Sequence, residues 1–304
     1  MPAWYREHGG CVLTSSIAHY CYLAVRYLPP FFEHRHRVAW SELEQVDAVT
    51  EIRHPAVRAI LKHFRISKGL SVTHDGDLPA RSGLGSSSAF TVGLLHAIHA
   101  LKGEMPTKVE LAREAVYIEQ EAMREVVGIQ DQIECAHGGL NLVEISGDGS
   151  WVVRPVLIKP GRRAELERHL LLYYTGIQRH SSEIQSAAGR GHSAALHDIA
   201  AMVPEALKIL TGRGSILEFG SILDRAFLAK SSLSPLVAPD RVRQIYERAR
   251  RAGAIGGKIL GAGGGGFLLL FARPEGQPGL RRALRDLVEV PFRFESEGTR
   301  VMLA

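Results

Sequence analysis

The stretch Ser82–Phe90, SGLGSSSAF, sets two glycines and three consecutive serines in front of an apolar run. Phe90, Leu94, Leu95, Ile98 and Leu101 recur at helical spacing, so a helix is predicted to begin among the serines. The first turn of a helix leaves backbone N–H groups without intrahelical partners, and the helix dipole is positive there. Gly83 and Gly85 let the preceding backbone fold closely around a bulky anion. Two readings are open. One is a glycine turn followed by a serine N-cap. The other is a phosphate cradle, in which a first-turn hydroxyl also reaches a Mg²⁺. The density of small residues favours the cradle. The run matches neither Gly-x-Gly-x-x-Gly nor Gly-x4-Gly-Lys-Ser/Thr, which disfavours the common dinucleotide and P-loop folds.

Strands and helices alternate along the rest of the chain without repeats or low-complexity tracts. Cys11–Leu28 reads as one or two strands, His54–Phe64 as a helix with Val57, Ile60, Leu61 and Phe64 on one stripe, and LSVTHD as a short strand. Thr107 caps a further helix carrying Val109, Ala112, Val116 and Ile118. GGLNLVEI and SWVVRPVLI form a hairpin around SGDGS. A boundary is predicted at Lys159–Arg162, followed by a strand at Leu170–Thr175, two or three helices and a glycine-rich strand pair. This mixed order points to an α+β protein. At 304 residues the chain has room for two domains, assigned to residues 1–160 and 161–304.

Composition excludes several classes. No apolar run approaches the roughly 20 residues of a membrane span, and MPAWYREHGG lacks the apolar core of a signal peptide. Cys11, Cys21 and Cys135 are scattered, which argues against a disulfide framework or zinc site and for a cytoplasmic protein. The net charge of +5 is dispersed and accompanies no nucleic-acid motif. Arg241–Arg251 is interleaved with Ile245, Tyr246 and Ala249 as in an amphipathic helix. The expected partner is an anionic small molecule, with no nucleic acid and no membrane.

LPARSGLGSSSA (Leu78–Ala89) resembles the second signature of the GHMP kinases, and GGKILGAGGGGFLLLF (Gly256–Phe271) their third. GIQDQIECAHGGLN and YYTGIQRHSSEI resemble the branch typified by D-glycero-D-manno-heptose 7-phosphate kinases. The resemblance implies a two-domain α+β GHMP kinase fold, with a ribosomal protein S5 domain 2-like N-terminal domain and a ferredoxin-like C-terminal domain. It also places the family's first signature, a strand with a glycine-rich turn and a Thr-Asp pair, just before PAWYREHGGCVL. The chain starts there at Met1, so that first strand is expected to be missing and a sheet edge left unpaired.

By the same resemblance, the chain is an ATP- and Mg²⁺-dependent kinase of a sugar or sugar phosphate, monomeric or homodimeric. The phosphorylated site is the anomeric hydroxyl of a heptose 7-phosphate. Arg81, Ser82, Gly83, Leu84, Gly85, Ser86, Ser87 and Ser88 are expected at the nucleotide phosphates. Asp131 matches the aspartate that accepts the proton of the attacking hydroxyl, which is a poor nucleophile until something takes that proton. Glu119, twelve positions earlier, matches the metal carboxylate, with Ser87 as its companion ligand. Gly128, Gln130, Arg179 and the turn residues Gly263, Gly264 and Gly265 are expected around the substrate, Arg179 as a phosphate clamp. A kinase of an unphosphorylated sugar such as galactose or fucose, and a non-catalytic sugar or nucleotide sensor on the same fold, are the competing readings.

Overall fold

The computed structural model describes residues 2–80, 82–177 and 193–303. The chain opens with α1 (Pro2–His8), β1 (Gly10–Ser15), β2 (Cys21–Tyr27), β3 (His36–Ala39), β4 (Leu43–Val46), α2 (Pro55–His63) and β5 (Leu70–Gly76). It continues with α3 (Ser86–Leu101), α4 (Lys108–Tyr117), a π-helical turn (Ile118–Ala122), α5 (Gln130–His137), β6 (Leu140–Ile145), β7 (Trp151–Pro155), α6 (Pro160–His169) and β8 (Leu170–Tyr174). It ends with α7 (Ser193–Thr211), α8 (Leu217–Ser231), α9 (Asp240–Arg251), β9 (Ala254–Ile259), β10 (Phe267–Ala272), α10 (Gln277–Ala283) and β11 (Val288–Glu289). No described helix is long and apolar enough to cross a membrane.

The chain forms two compact units. One takes the described parts of residues 19–80, 85–138 and 295–304. Its sheet has the order β2-β5-β3-β4, antiparallel except for β3, which runs parallel to β5. Period-two alternation sends Leu70, Val72 and Val38 inward, where they are buried. Tyr22, Arg26, Thr73 and Gln45, on the other face, are exposed. α3 lies against the inner face so closely that a Cβ on Gly93 would stand 2.7 Å from the Leu23 side chain. Thr107 caps α4 with a capping box: its hydroxyl accepts from Glu110 N at 3.2 Å, and the Glu110 carboxylate accepts from Thr107 N at 2.7 Å. The buried stripe of α4 is Leu111, Ala112 and Ala115, continued by Ile118, while Val109 faces solvent. The sequence stripe through Val109 was therefore misplaced, because Leu111 rather than Val109 occupies the packed position.

The other unit takes the described parts of residues 1–18, 81–84 and 139–294. It holds two antiparallel sheets, β1-β6-β7 and β11-β8-β10-β9. Because β1 pairs with β6 from Gly10↔Ile145 to Ser15↔Leu140, the N-terminal segment joins the unit that also takes residues 139–294. Compactness therefore groups the chain differently from a linear cut at residue 160. The segment Lys159–Arg162 is the start of α6, with Pro160 at its first position, where the fixed φ of proline suits a helix and no N–H is needed. α9 buries Val242, Ile245, Tyr246 and Ala249 and turns its arginines outward.

α8 and β9 meet backbone to backbone. A Cβ on Gly256 would lie 1.9 Å from the Gly220 carbonyl oxygen and 2.8 Å from Asp224 N, and one on Gly220 would lie 2.6 Å from the Phe271 ring. Gly256→Ala must push α8 off the sheet. The expected cost is about 2 kcal/mol or more, read as a lower urea midpoint at unchanged m-value.

Candidate active site

The loop in front of α3 settles its own ambiguity. Gly85 is the N-cap residue, in the left-handed region at φ 71°, and no side chain caps the helix. The serines lie inside the first turn, with Ala89 N donating to Gly85 O at 2.8 Å as the first helical bond. A serine N-cap is thereby ruled out. The earlier N–H groups of the turn stay available to an anion, in the positive end of the helix dipole.

Asp131 packs on this loop from the first turn of α5. A Cβ built on Gly85 would stand 3.5 Å from Asp131 Cβ and 3.7 Å from its Oδ2. Gln130 Nε2 donates to Asp131 Oδ1 at 3.1 Å. The same face of α5 brings the Cys135 thiol to 3.9 Å from Gly85 O. The far end of α5 is fixed by residues near the C-terminus, with Thr299 N donating to Cys135 O at 2.8 Å.

Glu119 sits in the π-helical turn, a distortion that often marks functional positions. It is only 1% exposed. Gln132 Nε2 donates to its Oε2 at 2.6 Å and Ser88 Oγ at 3.2 Å. Its Oε1 is buried beside the Thr91 hydroxyl, without a hydrogen bond of regular geometry. Burial pushes the carboxyl up to about 7, against the lowering effect of the Gln132, Thr91 and Ser88 hydrogen bonds. The structure thus joins Glu119 to Ser88, whereas Ser87 is exposed one residue earlier. Successive helical side chains diverge by about 100°, so only one of the two can face Glu119.

Within the other unit, the glycine turn embraces the start of the loop. Gly266 would clash through a Cβ at 1.8 Å from Ser82 O, and Phe267 N donates to that oxygen at 3.2 Å. Gly264 N donates to Val237 O at 2.7 Å and Gly266 N to Ile177 O at 2.7 Å. Gly263, Gly264 and Gly265 are buried with positive φ. The Gly264 amide is thus already engaged by the backbone of its own unit. Lys230 Nζ holds the entrance by donating to Ile259 O at 3.2 Å and to Gly261 O.

Of the remaining expected residues, Gln130 is exposed beside Asp131, and Gly128 has open space where a Cβ would lie. Arg81 and Arg179 lie outside the described residues. Sequence reasoning missed Gln132, Lys230 and the Thr299 contact. Gln132 left a signal, a polar residue on the stripe of Ile129, Ile133 and Ala136. Lys230 and Thr299 left none, since both act through backbone carbonyls distant in sequence.

The chain matches the family model for the GHMP kinases N-terminal domain over residues 50–139 and that for the C-terminal domain over residues 205–289. It is 33% identical over 231 residues to a D-glycero-alpha-D-manno-heptose 7-phosphate kinase of Campylobacter jejuni, covering 74% of this chain and 68% of that protein. It is 28% identical over 252 residues to an L-fucokinase/L-fucose-1-P guanylyltransferase of Bacteroides fragilis, covering 79% of this chain but only 26% of that longer protein. In fold it resembles a D-glycero-D-manno-heptose 1-phosphate kinase from Bacteroides thetaiotaomicron, with a TM-score of 0.78 at 24% identity over 97% of this chain and 90% of that one. With both family models matched in order and such identity along two thirds of a relative, the chain belongs to the GHMP kinase family.

Proposed function

We propose that this GHMP kinase, an ATP-dependent phosphotransferase with a hydroxyl acceptor, phosphorylates the anomeric hydroxyl of D-glycero-D-manno-heptose 7-phosphate. The product would feed nucleotide-activated heptose and surface polysaccharide. The observation that carries the chemistry is the Asp131 carboxylate packed on Gly85 at the uncapped start of α3. The heptose assignment rests on the 33% identical relative. Residues 1–160 and 161–304 serve as the two functional domains, each containing one of the family-model matches.

In this reading the first-turn amides of Ser86, Ser87 and Ser88 hold phosphate oxygens, and Asp131 takes the proton of the acceptor hydroxyl. Arg179 clamps the distal phosphate of the sugar. A cation fits the residues present: Glu119 offers a buried carboxylate oxygen, Oε1, that makes no hydrogen bond of regular geometry. Among the described residues no cluster of three or more His, Cys, Asp or Glu side chains could hold a metal alone. A Mg²⁺ taken mainly by phosphates and a single carboxylate is consistent with both facts. Bound there, it would neutralise charge on the transferring phosphoryl group.

Three outcomes test this. With Mg-ATP, ADP release is expected with heptose 7-phosphate and not with free heptose, galactose or fucose; turnover of a free hexose would remove the heptose assignment. Asp131→Asn, which keeps the volume and loses the base, is expected to lower kcat by about 10²–10⁴-fold with the fold intact by circular dichroism. Glu119 gives a pH signature. Its folded-state pKa lies near 7, above the ordinary 4.5, so the native state holds a proton that the unfolded chain releases. The metal-free protein should therefore lose stability as pH rises from about 4.5 through 7, by up to about 3 kcal/mol. Glu119→Gln, unable to ionise, should flatten that dependence in urea titrations and come out more stable than wild type at alkaline pH while losing activity.

A further inference from the structure

The outer face of the β2-β5-β3-β4 sheet carries a row of side chains that the kinase chemistry does not use. In register across the strands stand Arg26, Ser71, Arg37 and Gln45, through the pairs Arg26↔Ser71, Arg37↔Ser71 and Arg37↔Gln45. The register thus sets Arg26 and Arg37 on either side of Ser71, itself only 6% exposed between them, on strands about 4.8 Å apart. Like charges in one row repel unless something answers them. Neither Arg26 nor Arg37 has an ion pair or a hydrogen bond among the described residues, and Arg37 Nε is buried without a partner. On this face the nearest acid along β5 is Asp75, four residues from Ser71 and so about 13 Å away. Glu33, in the adjoining loop, makes no ion pair among the described residues.

Aromatic rings flank the row. The Arg37 guanidinium lies 5.1 Å from the centre of the Phe32 ring, and Lys68 Nζ lies 5.1 Å from that of Tyr27. Tyr27, Phe31 and Phe32 are all exposed. The end of the sheet is stiff: Leu28 N donates to Gly69 O at 2.8 Å, and a Cβ on Gly69 would stand 2.5 Å from Arg35 O. A guanidinium packed on an aromatic ring keeps its outer N–H edge directed and loses little freedom when it binds.

We infer that this face is a second anion site, built by Arg26, Ser71 and Arg37, for a phosphate monoester on a small organic group. Paired guanidiniums and a hydroxyl match the fork geometry and acceptor oxygens of a phosphate. The exposed rings supply apolar surface for the group that carries it. The site is distinct from the phosphate loop, since its three residues alternate with Val25, Val72 and Val38 and so lie on the sheet face opposite α3.

The test is equilibrium dialysis of inorganic phosphate against the full chain saturated with a non-hydrolysable ATP analogue, which fills the phosphate loop. Wild type is expected to retain one further phosphate per chain, displaced by glycerol phosphate. Arg26→Gln and Arg37→Gln should each weaken it by about tenfold or more, and Ser71→Ala to a smaller extent. Arg300→Gln, which removes an arginine placed elsewhere, should leave it unchanged. Absence of the further phosphate in wild type would overturn the site, as would equal retention by wild type and both arginine variants. Failure of glycerol phosphate to compete, or binding only of a single-stranded oligonucleotide, would overturn the monoester assignment. Should Arg37→Gln fail to fold, Arg26→Gln and Ser71→Ala decide the matter alone.

Discussion

The site depends on a helix start that no side chain caps. Gly85 turns the chain into α3 with a left-handed backbone, and the first amides of the helix remain without side-chain acceptors. An ordinary surface helix would satisfy them with a Ser, Thr or Asp at the N-cap. Here the hydroxyls are displaced into the first turn, where Ser88 points to Glu119. Asp131 and Cys135 on α5 crowd the loop, and the glycine turn holds Ser82 O at its beginning. The surrounding packing therefore fixes a short piece of backbone whose first helical amides have no side-chain acceptor.

Glu119 shows the same trade. A carboxylate this buried is costly to ionise, and burial raises its pKa accordingly. Gln132, Thr91 and Ser88 lower the cost, and Gln132 and Ser88 fix the orientation, without removing it. A protein selected for stability alone would place an apolar residue there. A buried acid with a raised pKa beside an uncapped helix start is the kind of feature that functional sites often carry.

The fold was legible where one element accounts for its own pattern. The helical stripes of α2, α3 and α9, the capping box at Thr107 and the β6–β7 hairpin all stand where periodicity and turn chemistry place them. Misplacements arose where partners decide. Val109 and Leu111 are equally apolar, and only packing chooses between them. Lys159–Arg162 has the composition of a linker and the structure of a helix start. The same holds in the site. Gly85, Glu119 and Asp131 stand out by residue type and spacing, whereas the hydrogen bond of Ser88 rather than Ser87 to Glu119 depends on the helical phase between them.

By itself the sequence determined that a glycine- and serine-rich loop opens a helix, that one aspartate and one glutamate stand at fixed spacing downstream, and that a second glycine turn joins two apolar strands. These follow from local sterics: only glycine accepts the backbone angles, and helical periodicity fixes which residues share a face. Tertiary structure alone decided that β1 joins β6 across some 130 residues, as in Gly10↔Ile145. It alone brought Lys230 to the carbonyls of the glycine turn and Thr299 to the end of α5. It also alone set Arg26 and Arg37 on either side of Ser71. Contacts of that kind depend on strand register and on backbone carbonyls that every residue carries, so no pattern of side chains along the chain could announce them.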